Sequence, residues 1–436
     1  MSLPNVGGGG LVGVVWFGYT HRGNRQDQSE GQCIKMRIRD LTAWHVRIPL
    51  KTTVRHASHT RQETDSVVVR CRMDDGSEGW GEGLPREYVT GETIDSALEQ
   101  LDGTDVFGQL GDSFSDLDAV ITACGQVELS DPVGAQPDGT PGRRDSFGHS
   151  ARCALELAVL DAATRSVGVP FSEITRRFAP AMAIRESSDR VRYSMAFTPT
   201  RRWKLRVRGW VIRLLGFHQA KVKVGVDGVD DAELLSLVRR AVGQRVDLRL
   251  DANEAWRCEE VVEKMAGLVG YGVSSLEQPV PHADVAGLAA VRQELDVAIM
   301  LDESLCSAGD ARRAIEARTC DLFNIRLSKC GGFLNSLEIA AMAHQSGLGY
   351  QLGCQVGETG ILSAAGRHFA TSVGGIKFLE GSFDRYLVGE RLTVEDLTFG
   401  IGGYAPALSG PGLGVNIDRA SLERVQVSRL DWQREA

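Results

Sequence analysis

Four short stretches decide the fold: AKVKVG at 220–225, LDAN at 250–253, LEQP at 276–279 and LDES at 301–304. In each, an aliphatic run ends on a charged residue: Lys223, Asp251, Glu277 and Asp302. The interval from one to the next is nearly constant at roughly 26 residues, the length that a strand, an outer helix and their connections consume. Working outward at the same interval, Phe197 precedes Lys223, and Lys329 in LSKCGG follows Asp302. Two further strands fit the period, one ending near Gln355 and the other at Glu380. Eight such units with right-handed crossovers make a parallel sheet that can close, so the α/β fold expected is a (β/α)8 TIM-type barrel. Functional groups in such barrels gather at the C-terminal strand ends, where this chain places Lys, Asp, Glu, Asp, Lys and Glu.

Upstream the pattern differs. Ile38, Leu41, Trp44, Val46 and Ile48, then 67–71, then the Asp75-Gly76 turn before Trp80, read as an antiparallel meander. Helices are expected over 94–101 and 151–164, the second with Ala154, Leu155, Ala158, Val159 and Ala162 as one apolar face. Residues 129–145, rich in Pro, Gly and Asp, read as a surface loop. The expected organisation is therefore a disordered extension over 1–35 and an N-terminal α+β capping domain over 36–185. The barrel follows over 186–400, and 401–436 returns to the capping domain.

Of the 436 residues, 42% are apolar, and 49 basic against 57 acidic residues leave a net charge of −8. That balance argues against a surface gripping nucleic acid or anionic lipid. The nine cysteines include no C-x-x-C pair, which disfavours a disulfide framework or a zinc ribbon and points to the cytoplasm. The apolar run 11–19 is too short to span a bilayer.

Asp251, Glu277 and Asp302 fall on three successive strands about 4.8 Å apart. At equal depth three carboxylates repel unless something cationic lies between them, and a hard divalent ion, Mg²⁺ or Mn²⁺, suits oxygen donors. Taken singly, each acid would serve equally to cap the helix that follows it. Lys221 and Lys223 share one face of their strand, where two ammonium groups are expected to lower one another's pKa, as a general base near neutrality requires. Ion pairing with the acids, without proton chemistry, is the alternative reading of these lysines.

Lys-x-Lys, then Asp, Glu and Asp on three strands, then Lys, together with Trp80-Gly-Glu82 and 321–332, resembles the enolase superfamily. Within it, the resemblance is to the muconate-lactonizing (muconate cycloisomerase) subgroup. It implies that Asp251, Glu277 and Asp302 bind Mg²⁺ (or Mn²⁺), which holds a substrate carboxylate and stabilises the enolate formed when its α-carbon loses a proton. Lys223 and Lys329 would be the catalytic pair on the two faces, with Lys221 tuning Lys223 and with Asn253 and Glu303 orienting ligands. The partner implied is a small-molecule carboxylate, and homo-oligomerisation is carried over from the family.

The loop 54–61 offers Arg55, His56, His59 and Arg61 for an anionic substrate, and Gln355, Glu358 and Glu380 border the mouth. Dipeptide epimerases of the subgroup keep an acidic pair two apart near the eighth strand, whereas here Gly381 and Ser382 follow Glu380. A muconate-cycloisomerase-like isomerase or lyase is thus the first expectation. A dipeptide epimerase, an N-acylamino acid racemase or an o-succinylbenzoate synthase stand as alternatives, and a catalytically inactive metal-binding scaffold as a different class. No His-Asp pair marks the sixth and seventh strand ends, and His218, His282, His344 and His368 show no ligand spacing. The stretch 201–213, rich in Arg and Trp, reads as the first outer helix with a solvated cationic face.

Overall fold

The computed structural model describes residues 36–55, 60–132 and 144–434. Three strands open the chain, β1 (Ile38–Arg55), β2 (Thr60–Met73) and β3 (Glu78–Gly83). They are antiparallel, and the turn between the last two is built as its residues require: Gly76 is left-handed, and Asp75 accepts from the Ser77 N–H at 2.8 Å. The alternation Gly79, Gly81, Gly83 puts three glycines on one face of β3. Against that face lies the helix His149–Ser166, so closely that a Cβ on Gly81 would stand 2.0 Å from the Ala154 carbonyl oxygen.

One apolar face was expected on that helix, but residues from Ser150 to Thr164 are buried nearly all round, Arg152 excepted. The sheet covers one side, and the helices Leu117–Gln126 and Phe333–Gln345 cover others. Small residues on that side of the helix, Ser150, Ala154, Ala158 and Ala162, facing the three glycines, let the two backbones approach this far.

The remaining strands are β4 (Arg190–Arg192), β5 (Met195–Phe197), β6 (Gln219–Lys223), β7 (Asp247–Asp251), β8 (Val273–Glu277), β9 (Ala298–Leu301), β10 (Leu322–Ile325), β11 (Gly349–Leu352), β12 (Ile376–Leu379), β13 (Tyr404–Pro406) and β14 (Gln426–Gln433). Strands β5 to β12 form one parallel sheet in sequence order. Its two ends meet where the Ser194 N–H donates to the Leu379 carbonyl at 2.8 Å, closing the (β/α)8 barrel. Outer helices follow the punctuation of the sequence: Asp230 caps Asp231–Val242 by accepting from Glu233 N, and Gly243 ends it. The eighth strand is followed by a single turn, Asp384–Leu387, rather than a long helix. From there the chain runs back, β13 pairing with β4 and β14 adding to the first sheet beside β1.

Strand ends match the expected positions at Phe197, Lys223, Asp251 and Glu277, and fall one residue before Asp302 and Glu380. Elsewhere they differ. Strand β10 stops at Ile325, four residues short of Lys329, and β11 stops at Leu352, three short of Gln355. Lys329 rides instead on a turn closed by hydrogen bonds from Cys330 N to Arg326 O and from Gly332 N to Leu327 O. Gly331 and Gly332, at φ of 82° and 112°, let the chain leave that turn into the helix Phe333–Gln345.

Buried carboxylates join the smaller sheet to the barrel. Glu82 of β3 accepts from the Thr359 and Leu362 amides at the start of Gly360–Ser372. Glu156 accepts from Phe333 N and Leu334 N at 2.6 and 3.1 Å. Each occupies a helix N-terminus, where orphan N–H groups and the dipole favour an acceptor. Burial pushes both carboxyls up to about 7, against the pull of those donors.

Candidate active site

The barrel mouth brings the strand-end charges together. Lys221 Nζ, buried inside β6, lies 3.2 Å from Asp251 and 3.3 Å from both oxygens of Glu277, and donates to Glu380 at 3.0 Å. Two residues on, Lys223 reaches the rim, where its Nζ donates to Asn253 Oδ1 at 2.7 Å. Asn253 in turn donates from Nδ2 to Glu303 at 3.3 Å, so one amide links the lysine to the loop after β9. Asn253, Glu254, Gln278 and Ser382 all hold positive φ at these strand ends, strain that concentrates where side chains are re-aimed. Across the barrel, four strands away, Lys329 is buried with its Nζ 2.7 Å from Asp302 Oδ1. His149 holds the Lys329 carbonyl through Nδ1 at 2.9 Å.

The expected mutual lowering of Lys221 and Lys223 is not what the site does to Lys221. Burial pulls that ammonium down, but Glu277, Glu380 and Asp251 outweigh it and hold its pKa well above the ordinary value. The reason is that three carboxylates lie nearer to Lys221 than any second ammonium. Lys329 is raised in the same way, burial being overcome by Asp302. Asp302 itself is buried, yet Arg326 and Lys329 hold it below the usual carboxylate range.

Three charged or polar groups are given no site role by the sequence, although two of them lie within the quoted stretch 321–332. Arg249, fully buried two residues before Asp251, donates to Glu380 at 2.7 Å and to Ser194 at 3.1 Å, with its guanidinium 4.2 Å from the Phe378 ring centre. Its inward direction was available from strand alternation, because residues 249 and 251 share a face. Arg326 pairs with Asp302 and lies 3.7 Å from Glu277, and Asn324 donates to Glu277 at 2.8 Å. No spacing rule singles out these two.

Mouth residues divide accordingly. Glu380 is turned inward to Lys221 and Arg249. The Gln355 side-chain amide is buried without a hydrogen-bond partner among the described residues, and Gln355 N donates to Glu358, whose carboxyl burial pushes up to about 8. The Arg61 guanidinium lies 5.5 Å from the Tyr88 ring centre. Arg55 ends β1, and His56 and His59 lie outside the described residues.

Among the described residues no three acidic, histidine or cysteine side chains converge to metal-coordinating distance. The carboxylates close instead on Lys221, Arg326 and Lys329. The donor set nonetheless fits a hard divalent cation in chemistry and placement: three buried carboxylates at successive strand ends, with Asp251 and Glu277 in direct register.

Residues 207–421 match the family described as enolase C-terminal domain-like. A hydrophobic dipeptide epimerase of Enterococcus faecalis is 29% identical over 345 residues, covering 77% of this chain and 88% of that one. The solved structure of a dipeptide epimerase from Enterococcus faecalis, complexed with Mg and the dipeptide L-Leu-L-Tyr, superposes with a TM-score of 0.73 at 25% identity, covering 87% of this chain and 99% of the other. That of a muconate lactonizing enzyme from Pseudomonas fluorescens, complexed with muconolactone, gives a TM-score of 0.76 at 24% identity over 90% and 99% of the two chains. Among the described residues no helix is long and apolar enough to cross a membrane.

Proposed function

The chain belongs to the enolase superfamily, and from that premise we propose that it is an isomerase inverting the α-carbon of an amide-linked amino acid, either a dipeptide or an N-acylated amino acid. The observation that carries this reading is the pair Lys223 and Lys329 on opposite sides of one barrel mouth, with buried carboxylates between them. Inversion needs a proton removed from one face and another delivered to the opposite face, so two bases facing across a site are its minimal equipment. Among the described residues Lys223 touches no carboxylate within ion-pair distance, and Asn253 fixes its ammonium at the rim. Lys329, sealed against Asp302, is the group positioned to deliver a proton.

Asp251, Glu277 and Asp302 would hold Mg²⁺, which supplies positive charge to the substrate carboxylate and to the enolate. Lys221 stays protonated between Glu277 and Glu380 and adds a fixed positive charge beside Lys223. Cycloisomerisation of a muconate, the first expectation from sequence, yields its place here: the muconate lactonizing structure supports the fold, whereas the relative at 29% identity is a dipeptide epimerase. Glu380, engaged by Lys221 and Arg249 and followed by Gly381 and Ser382, leaves no acidic pair for a substrate ammonium. That favours an acylated nitrogen within the proposed class.

The test is proton NMR in D₂O with Mg²⁺ and a panel of dipeptides, N-acyl amino acids and muconates. Inversion with deuterium entering the α-position is expected, and Lys223→Ala and Lys329→Ala should each lower it by about 10²–10⁴-fold. Ring products from muconates would return the reading to cycloisomerisation. If Mg²⁺ binds yet no α-proton of the panel exchanges, the reading fails and the inactive scaffold gains.

A further inference from the structure

The helix Arg202–Leu214 has two apolar faces. Leu205, Gly209 and Ile212 are buried against the barrel, as an outer helix requires. On the opposite side Trp203, Val207, Trp210 and Leu214, spaced four, three and four residues apart, form a second stripe pointing straight out. Trp203 is 58%, Trp210 57% and Leu214 84% exposed. Side chains of that size do not ordinarily line up in water along a whole helix.

The flanks of the stripe are cationic. Arg206 and Arg213 border one side and Lys204 the other, and residues 201–217 contain six Lys or Arg and no acid, in a chain whose net charge is negative. The helix packs along Asp231–Val242, while the eighth strand supplies only the turn Asp384–Leu387 where a barrel would place another long helix. Trp203, Trp210 and Leu214 along the apolar crest are each left more than half exposed.

We propose that this crest docks the protein on an anionic lipid surface, with Trp203, Trp210 and Leu214 entering the headgroup boundary and the flanking Lys and Arg meeting lipid phosphates. Three features select this occupant. A crest whose largest side chains are more than half exposed can enter a deformable bilayer surface, whereas a protein partner would have to supply a groove shaped to it. Tryptophan and leucine between basic flanks are the composition of an interfacial helix. Pairing with the same stripe of a second copy would set Arg206 and Arg213 against like charges, since a two-fold contact brings one patch against itself. Net charge alone argues against a surface for anionic lipid, but it averages over the whole chain; the flanks of this helix are locally cationic, and charges beyond about 8 Å are screened at physiological salt.

The experiment is co-sedimentation of the full chain with vesicles of phosphatidylglycerol and phosphatidylcholine, against phosphatidylcholine alone, at low and high salt. Wild type is expected to bind the anionic vesicles only, and less at high salt. Trp203→Ser/Trp210→Ser and Arg206→Glu/Arg213→Glu should each weaken binding by more than about tenfold, with unchanged circular dichroism and melting temperature. Absence of binding to anionic vesicles, or binding that survives both double variants, overturns the proposal. So does sedimentation velocity showing a dimer that Trp203→Ser/Trp210→Ser makes monomeric, which would assign the stripe to a second copy.

Discussion

Glu156→Gln isolates one buried proton. Glu156 Oε1 accepts from Phe333 N and Leu334 N, while Oε2 is buried with no hydrogen-bond partner among the described residues. Burial is the dominant influence, and it carries the carboxyl from an ordinary value near 4.5 up to about 7 against the pull of Arg152 and the two amides. The unfolded chain thus releases this proton near pH 4.5 and the folded chain near pH 7. Between those values the native state binds more protons, so its stability falls as pH rises and levels off above the folded value. At 1.36 kcal/mol per pH unit, the loss from this group amounts to about 3 kcal/mol. Glutamine reproduces the protonated form, its carbonyl oxygen taking the place of Oε1, and has nothing to ionise. Urea unfolding at a series of pH values should therefore show the variant gaining on wild type by about 2.5 kcal/mol between pH 5 and pH 8. Parallel stability profiles for the two proteins would refute the reasoning. A variant that gained as pH fell would reverse its sign.

The glycine face of β3 gives a steric prediction: in Gly81→Ala the new Cβ meets the Ala154 carbonyl oxygen at 2.0 Å, and the loss should reach at least about 3 kcal/mol in denaturant unfolding. A loss within experimental error would mean the helix can retreat from the sheet. Arg249→Met removes one of the two cations that, among the described residues, pair with partly buried Glu380 and leaves it to Lys221 alone; the change is expected to cost about 2 kcal/mol, since a partly buried carboxylate loses a charge-assisted partner, and unaltered urea unfolding would contradict it. Saturating Mg²⁺ should raise the melting temperature of wild type by several degrees, corresponding to about 2.7 kcal/mol at a hundred times Kd. Glu277→Gln should abolish that response, and a response left intact would remove Glu277 from the proposed metal site.

How much of this was legible beforehand depends on the range of the interaction. The regular strand-to-strand period locates the ends of β5 to β8 exactly where they fall, because Lys223, Asp251 and Glu277 each interrupt an aliphatic run where the strand leaves the barrel wall. The same period misplaces the end of β10. That strand pairs with β11 only from Leu322 to Ile325, and the chain then closes into the turn that carries Lys329. Where pairing stops depends on the neighbouring strand, which local sequence does not encode. The two-faced helix Arg202–Leu214 was foreseen as cationic, yet its apolar crest emerges only when the barrel shows which stripe it has already buried.

The sequence by itself determined the order of elements, the repeat, the antiparallel meander and the face to which Lys221, Lys223 and Asp251 point, since all of these follow from steric and periodic rules acting over a few neighbouring residues. Only the tertiary structure decided which cation lies against which carboxylate. Lys221 finds Glu380, Lys329 finds Asp302, and Glu156 reaches Phe333, each across a stretch of chain longer than a whole strand–helix unit or close to it. Electrostatic partners are chosen by distance in space and by burial, and no spacing along a chain carries that information until the barrel closes.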